Sequence, residues 1–186
     1  MKMNCLGALG VAFALLFPAH SFAQSTVFVG GAATFPVGTI ASRGEFAGAA
    51  AGWQATVGAQ FAVGGSGLSI GPRVYYGAND HEDPARGSNL FGATALLTFG
   101  IGDPTSVAPF LWAEIGVLSH GFGSDPNPDA GGRWSAPAAA GGAGISIPLR
   151  EIRVLVAGGY NSHLGGDFDL TYLGLLAGLS INLGGE

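Results

Sequence analysis

The sequence predicts an all-β fold: an eight-stranded antiparallel up-and-down transmembrane β-barrel that follows a cleaved signal peptide. Three observations carry this. Apolar residues alternate with small or polar ones at a period of two along most of the chain, the pattern of strands whose two faces meet different surroundings. The connections between those strands alternate between long and short. Aromatic residues fall at the strand ends and leave the strand middles to Val, Leu, Ile and Ala.

Met1, Lys2 and Asn4 form a short basic start, 5–17 is almost wholly apolar, and 18–23 ends in small residues, so cleavage is predicted before Gln24. The apolar run falls short of the roughly 20 residues that a membrane-spanning helix needs. The chain is therefore read as a signal peptide, 1–23, and one barrel domain, 24–186. Cys5 is the single cysteine and precedes the apolar run, so it is not placed for lipid attachment at the cleavage point. The processed chain then has neither disulfide nor thiolate metal site. Lys2 is the only lysine, which leaves six arginines against twelve acids, a charge of −6 after processing that argues against a nucleic-acid partner. Abundant glycine, 34 residues, with scarce charge and positive mean hydropathy excludes a disordered chain.

The first strand is placed at about Thr26 to Phe35. From Gly52 to Gly64 the alternation is clearest, with Trp53, Ala55, Val57, Ala59, Phe61 and Val63 opposed to Gln54, Thr56, Gly58, Gln60 and Ala62. Leu68 to Tyr76 sets Leu68, Ile70, Val74 and Tyr76 against Ser69, Gly71, Arg73 and Tyr75, with Pro72 in line on the apolar face. Asn89 to Gly100 opposes Phe91, Ala93, Ala95, Leu97 and Phe99 to Leu90, Gly92, Thr94, Leu96 and Thr98. Val107 to His120 opposes Leu111, Ala113, Ile115 and Val117 to Phe110, Trp112, Glu114 and Gly116. Arg133 to Leu149 is rich in small residues and marks its parity only at Ile145 and Ile147. Ile152 to Tyr160 and Phe168 to Leu183 alternate again and complete eight.

Gly64 to Gly67, Gly102 to Ser106 and Leu149 to Glu151 read as tight turns, whereas Pro36 to Gly52, Asn79 to Ser88, Gly121 to Gly132 and Asn161 to Asp167 are longer and hold most of the charge. Placed by strand direction, Phe35, Trp53, Tyr76, Phe91, Trp134, Tyr160 and Phe168 fall at the loop ends, and Phe28, Phe61, Phe99 and Phe110 near the turn ends. Two aromatic girdles are therefore expected. The second face of the strands is nearly charge-free and dominated by Gly, Ser, Thr, Ala and Gln, which suits the cramped lumen of an eight-stranded barrel. A soluble lipocalin-like barrel would instead put charges outward on every strand.

On these patterns the chain resembles the small outer-membrane barrels of the OmpA-membrane-domain, OmpX and opacity-protein type. The stretch Tyr172 to Leu183 stands where that family has its alternating C-terminal insertion signal, with Leu183 in place of the usual terminal aromatic. The resemblance implies residence in the cell outer membrane after export. Its implied partners are outer-membrane lipid, lipopolysaccharide and the barrel-assembly machinery during insertion.

Arg73 and Glu114 are the only charges near mid-strand, and both fall on the inward parity at similar heights, so they are predicted to meet across the lumen. Pairing avoids the several kcal/mol that a lone buried ion costs. Such a pair reads as a lumen plug, or alternatively as the gate of a narrow passive pore. His120 and His163 follow Ser119 and Ser162 near the outer loops, which raises a lipid A-modifying barrel enzyme as a third reading. Adjacent strand residues point to opposite faces, so neither dipeptide forms a nucleophile–base pair. Asp80, His81, Glu82, Asp83, Asp125 and Asp129 are surface-loop candidates for recognition or cation bridging, but their spacing matches no defined calcium loop. Gly141 to Gly144 lacks the strand–loop–helix setting of a phosphate loop and reads as small inward residues and points of curvature. The resulting expectation is a non-enzymatic barrel with no cofactor or metal, acting in envelope structure or surface interaction through its outer loops.

Overall fold

The structure, a computed structural model, describes residues 25–37, 49–81, 88–103, 105–122, 133–164 and 171–183. The predicted signal peptide lies outside these residues, as do Glu82, Asp83, Asp125 and Asp129. Eight strands follow in order: β1 Ser25–Val37, β2 Ala49–Ala62, β3 Leu68–His81, β4 Ser88–Gly100, β5 Ala108–Phe122, β6 Arg133–Leu149, β7 Ile152–His163 and β8 Thr171–Asn182. Each pairs antiparallel with the next, and β1 pairs with β8 to close the barrel.

The register fixes the shape of the wall. From Ser25, stepping partner to partner round the barrel passes through Phe61, Ile70, Leu97, Ala113, Gly141, Tyr160 and Leu173 and returns to β1 at Phe35. The circuit has climbed ten residues, from 25 to 35. With a rise of ~3.3 Å per residue and ~4.8 Å between strands, that stagger over eight strands tilts them by about 41° and sets a backbone radius of about 8 Å. The shortest strands, of 12 residues, then span about 30 Å along the barrel axis, the thickness of a bilayer's hydrocarbon core.

The alternation read from the sequence is the alternation of the wall. Trp53, Ala55 and Val57 face out on β2, Leu111, Ala113, Ile115 and Val117 on β5, and Leu173, Leu175, Ala177 and Leu179 on β8. The strand whose parity was obscure, β6, turns Pro137, Gly141, Ala143 and Ile145 outward and buries Ala136, Ala138 and Ser146. Its neighbours settle the parity, because Ala113 and Tyr160 lie level with Gly141 and face outward.

Two expectations are corrected. Several strands run further toward the loop end than the alternation suggested, so β3 continues through Asp80 and His81, which stand on the barrel rim and not in the following loop. As a result the connections 38–48, 82–87, 123–132 and 164–170 alternate less sharply with 63–67, 101–107 and 150–151. Ladder pairing persists where side-chain alternation has faded, because backbone hydrogen bonds need no particular side chain. Second, Phe28 and Phe110 do not belong to a turn-end girdle. Both face the lumen, and of the aromatics placed at that end only Phe61 and Phe99 lie on the outward face.

Candidate functional site

The lumen is built in tiers, and β5 shows their order. From the turn end its inward residues run Phe110, Trp112, Glu114, Gly116 and Leu118. The lower tier consists of rings lying over glycines. Phe28 is level with Gly58, Phe110 with Gly144 and Trp112 with Gly142, and nearer the loop end Tyr75 is level with Gly92 in the same way, each pair directly across adjacent strands. A Cβ placed on any of these glycines would overlap the ring opposite or the neighbouring strand, so the absence of a side chain is what lets each ring lie flat against the wall. The indole of Trp112 reaches on to Gly159 of β7. Its Nε1 has no hydrogen-bond partner among the described residues.

Above the rings lies the ion pair. Arg73 Nη1 donates to Glu114 Oε2 at 2.9 Å, with side chains 7% and 2% exposed. Arg73 Nε donates to Thr56 Oγ1 at 2.8 Å, and Thr56 Oγ1 donates in turn to the carbonyl of Val74 at 3.1 Å. Thr94 Oγ1 donates to the same Glu114 oxygen at 3.1 Å. The guanidinium also lies 5.1 Å from the centre of the Tyr75 ring, within cation–π range. Four strands, β2 to β5, thus hold one buried charge-neutral unit whose polar atoms answer one another.

The uppermost tier is apolar. Tyr75, Leu90, Leu118, Ala138 and Tyr172 form a buried cluster, with Thr34 donating to Asn79 Oδ1 at 2.8 Å beside it. A cavity of about 20 Å³, room for one water, lies between this cluster and Glu114. Below the rings, Gln60 donates to Thr98 at 2.8 Å and Arg153 to Ser146 at 2.6 Å. Among the described residues, side chains occupy each of these tiers, with that cavity between two of them.

Of the residues singled out from the sequence, Arg73 and Glu114 come together. Asp80 and His81 stand at the end of β3 with side chains outside the described ones, as do the side chains of His120 on β5 and His163 on β7. Ser119 and Ser162 stand on strands β5 and β7, which are not neighbours. No group of three or more His, Cys, Asp or Glu able to hold a metal occurs among the described residues. Sequence reasoning missed Thr56 and Thr94 as partners of the ion pair, and it missed the ring-over-glycine pairs. Both depend on which residues lie level across strands, and this the sequence could have indicated only through loop lengths that the strand extensions changed.

A closed eight-stranded wall with an apolar outer face and a filled lumen defines the fold as that of the small outer-membrane barrels. No protein-family model and no curated protein matches the sequence. Among solved structures, the chain is similar to Neisserial surface protein A, at 14% identity over 86% of this chain and 97% of that one, with a TM-score of 0.67. It is also similar to Ail, the attachment invasion locus protein of Yersinia pestis (14% identity, 86% and 98% covered, TM-score 0.52). The N-terminal β-barrel domain of Pseudomonas aeruginosa OprF matches at 16% identity, with 84% and 97% covered and a TM-score of 0.50.

Proposed function

We propose that the chain is a non-enzymatic outer-membrane barrel with a sealed lumen, working in envelope structure or surface interaction through its outer loops. The observation that carries this is the inversion of the wall. Outward positions from Val27 and Val29 through Ile115 to Leu175 and Leu183 are exposed and apolar, while both mid-strand charges are turned inward and paired. In water such a surface would be a continuous apolar patch far larger than soluble monomers carry. In a bilayer it is matched to its solvent, and closure leaves no strand edge unpaired in hydrocarbon.

The tiered lumen favours a plug over the pore reading. An ion moving along the axis would meet an apolar cluster, a satisfied ion pair and then a layer of rings. Binding is accordingly assigned to the rim, where the connections 38–48, 82–87, 123–132 and 164–170 leave the barrel at one end. The structural neighbours include one whose name describes a surface protein and one whose name describes attachment and invasion, and a surface role is consistent with both. The partners that go with this reading are outer-membrane lipid, lipopolysaccharide and the barrel-assembly machinery, reached after export through the cleaved signal peptide.

The test is the electrophoretic mobility of the outer-membrane fraction with and without boiling, paired with conductance of the refolded protein in planar bilayers. A heat-dependent mobility shift without discrete current steps is expected. A soluble periplasmic protein with no shift would overturn the membrane reading, and reproducible steps would return the lumen to a pore.

A further inference from the structure

The lumen ion pair leaves one carboxylate oxygen over. Arg73 Nη1 and Thr94 Oγ1 both donate to Glu114 Oε2, at 2.9 and 3.1 Å, and among the described residues Oε1 accepts no hydrogen bond. The Glu114 side chain is 2% exposed, which leaves that oxygen little access to bulk water. An ionised carboxylate accepts at both oxygens, and a buried charged acceptor without a donor costs more than a neutral one. Glu114 lines the cavity of about 20 Å³ beneath the apolar cluster.

All eight strands contribute to the wall of this cavity. On one side Glu114, Ala140, Asn161 and Tyr172 stand level across β5 to β8, a single ladder row of inward residues. Thr34 of β1 and Gln54 of β2 also line it. The Thr34 hydroxyl is committed to Asn79, whereas the side-chain amides of Gln54 and Asn161 are bonded to no described residue. One carboxylate oxygen and two amides with unused hydrogen-bonding capacity therefore border a space of one-water size.

We infer that this cavity is a binding site for one ordered water, which donates to Glu114 Oε1 and is held in turn by the amides of Gln54 and Asn161. A cavity needs about 10–15 Å³ to admit a water, and a water held there makes roughly three hydrogen bonds. Cavities that stay empty are lined by apolar groups; this one is bordered by a carboxylate and two amides. A cation is a poorer occupant, because Arg73 already balances the charge of Glu114 and a second positive charge would be buried unpaired. The water is the third donor to the carboxylate, and it extends the polar network of β2 to β5 across the lumen to β7. The inference concerns the lumen alone and does not depend on what the outer rim binds.

Ala140 lies directly across from Glu114 and also lines the cavity. Cβ atoms of such a pair are ~5 Å apart, so a branched side chain at this position enters the space beside the carboxylate. Ala140→Val and Ala140→Thr fill it equally and displace the water, but only the second brings a hydroxyl that can donate in its place. Ala157, buried on the inward face of β7 and outside the cavity wall, takes the same two replacements as the control. In urea titrations of the barrel refolded in micelles, the unfolding constant of Ala140→Val is expected to exceed that of Ala140→Thr by at least about tenfold, or ~1.4 kcal/mol. No such gap is expected at Ala157. The water itself is read by NMR of the parent, through cross-relaxation with the backbone amides of Ala139 and Ala140. Laboratory-frame and rotating-frame signals have opposite signs for a water held longer than the particle tumbles. These signals are expected to vanish in Ala140→Val, which keeps every neighbouring hydroxyl and so excludes transfer through them. A parent without the signals, signals that survive in Ala140→Val, or an Ala140→Val no less stable than Ala140→Thr overturns the inference. If neither variant at Ala140 folds, the presence or absence of the signals in the parent decides.

Discussion

Removing either member of the lumen ion pair destabilises the barrel, and the two removals are expected to differ. The side chains of Arg73 and Glu114 are 7% and 2% exposed, so solvent does little to screen their interaction. Without Glu114, the guanidinium keeps the Thr56 hydroxyl at 2.8 Å and the Tyr75 ring at 5.1 Å. Without Arg73, the carboxylate keeps only Thr94 at 3.1 Å. Breaking a buried pair from one side costs about 3–5 kcal/mol, with Arg73→Met expected at the upper end and Glu114→Leu at the lower. Glu114→Gln retains an acceptor for both donors but leaves the guanidinium without a counter-ion, and is expected to cost less than Glu114→Leu. The double variant Arg73→Met/Glu114→Leu leaves no ion stranded and is expected to cost less than either single apolar replacement. Urea unfolding of the vesicle-embedded protein, followed by gel mobility and tryptophan fluorescence, measures all four. Two results would refute the reasoning: single variants that cost under about 1 kcal/mol, the range of solvated surface pairs, or a double variant that costs the sum of its parts.

Gly92→Ala sets a Cβ into the Tyr75 ring and is expected to cost about 1–3 kcal/mol by overpacking, whereas Gly31→Ala, whose Cβ meets only the Gln54 carbonyl at an ordinary 3.7 Å, should be close to neutral in the same urea titration. Ile115 faces outward at mid-strand and is 62% exposed; Ile115→Arg should cost about 2–4 kcal/mol in vesicles, and a neutral result would deny that this face meets lipid. In the 101–107 turn, the backbone N–H and the hydroxyl of Thr105 both donate to Asp103 Oδ1, at 2.7 and 2.8 Å, and hold its carboxyl below the usual range. A carboxyl depressed in the folded state stabilises its turn above the unfolded value near 4, and that contribution disappears as pH falls through the folded value. An NMR titration in micelles should find Asp103 titrating low, and Thr105→Ala, which removes the hydroxyl but keeps the N–H, should raise it part of the way.

The fold was legible because the signal is local. Whether Val57 faces outward and Thr56 the lumen follows from a period of two within one strand, and no knowledge of neighbouring strands is needed. The ion pair was legible for a related reason, since Arg73 and Glu114 are the only mid-strand charges and a buried charge needs a partner. What stayed hidden is relational. Phe28 and Phe110 were placed in a girdle from their height alone, although their even-numbered positions put them inside with Gly30 and Trp112. The partners Thr56 and Thr94, and the match of Tyr75 with Gly92, require the register between strands. That register depends on where each ladder ends, as at β3, which runs on through Asp80 and His81.

The register also explains how so narrow a barrel accommodates four of the large rings it turns inward. At a backbone radius of about 8 Å a ring pointed at the axis would fill it, and a cross-strand glycine lets a ring lie along its own wall instead. Phe28, Tyr75, Phe110 and Trp112 each have one. Laid flat, the rings leave the axis free at the height of Arg73 and Glu114, which meet there between Phe28, Phe110 and Trp112 below and the apolar cluster of Tyr75, Leu90, Leu118, Ala138 and Tyr172 above. The glycines, the rings and the ion pair therefore form one packing solution, and its consequence is an occluded axis. A barrel built this way leaves its outward wall and its two rims for interaction.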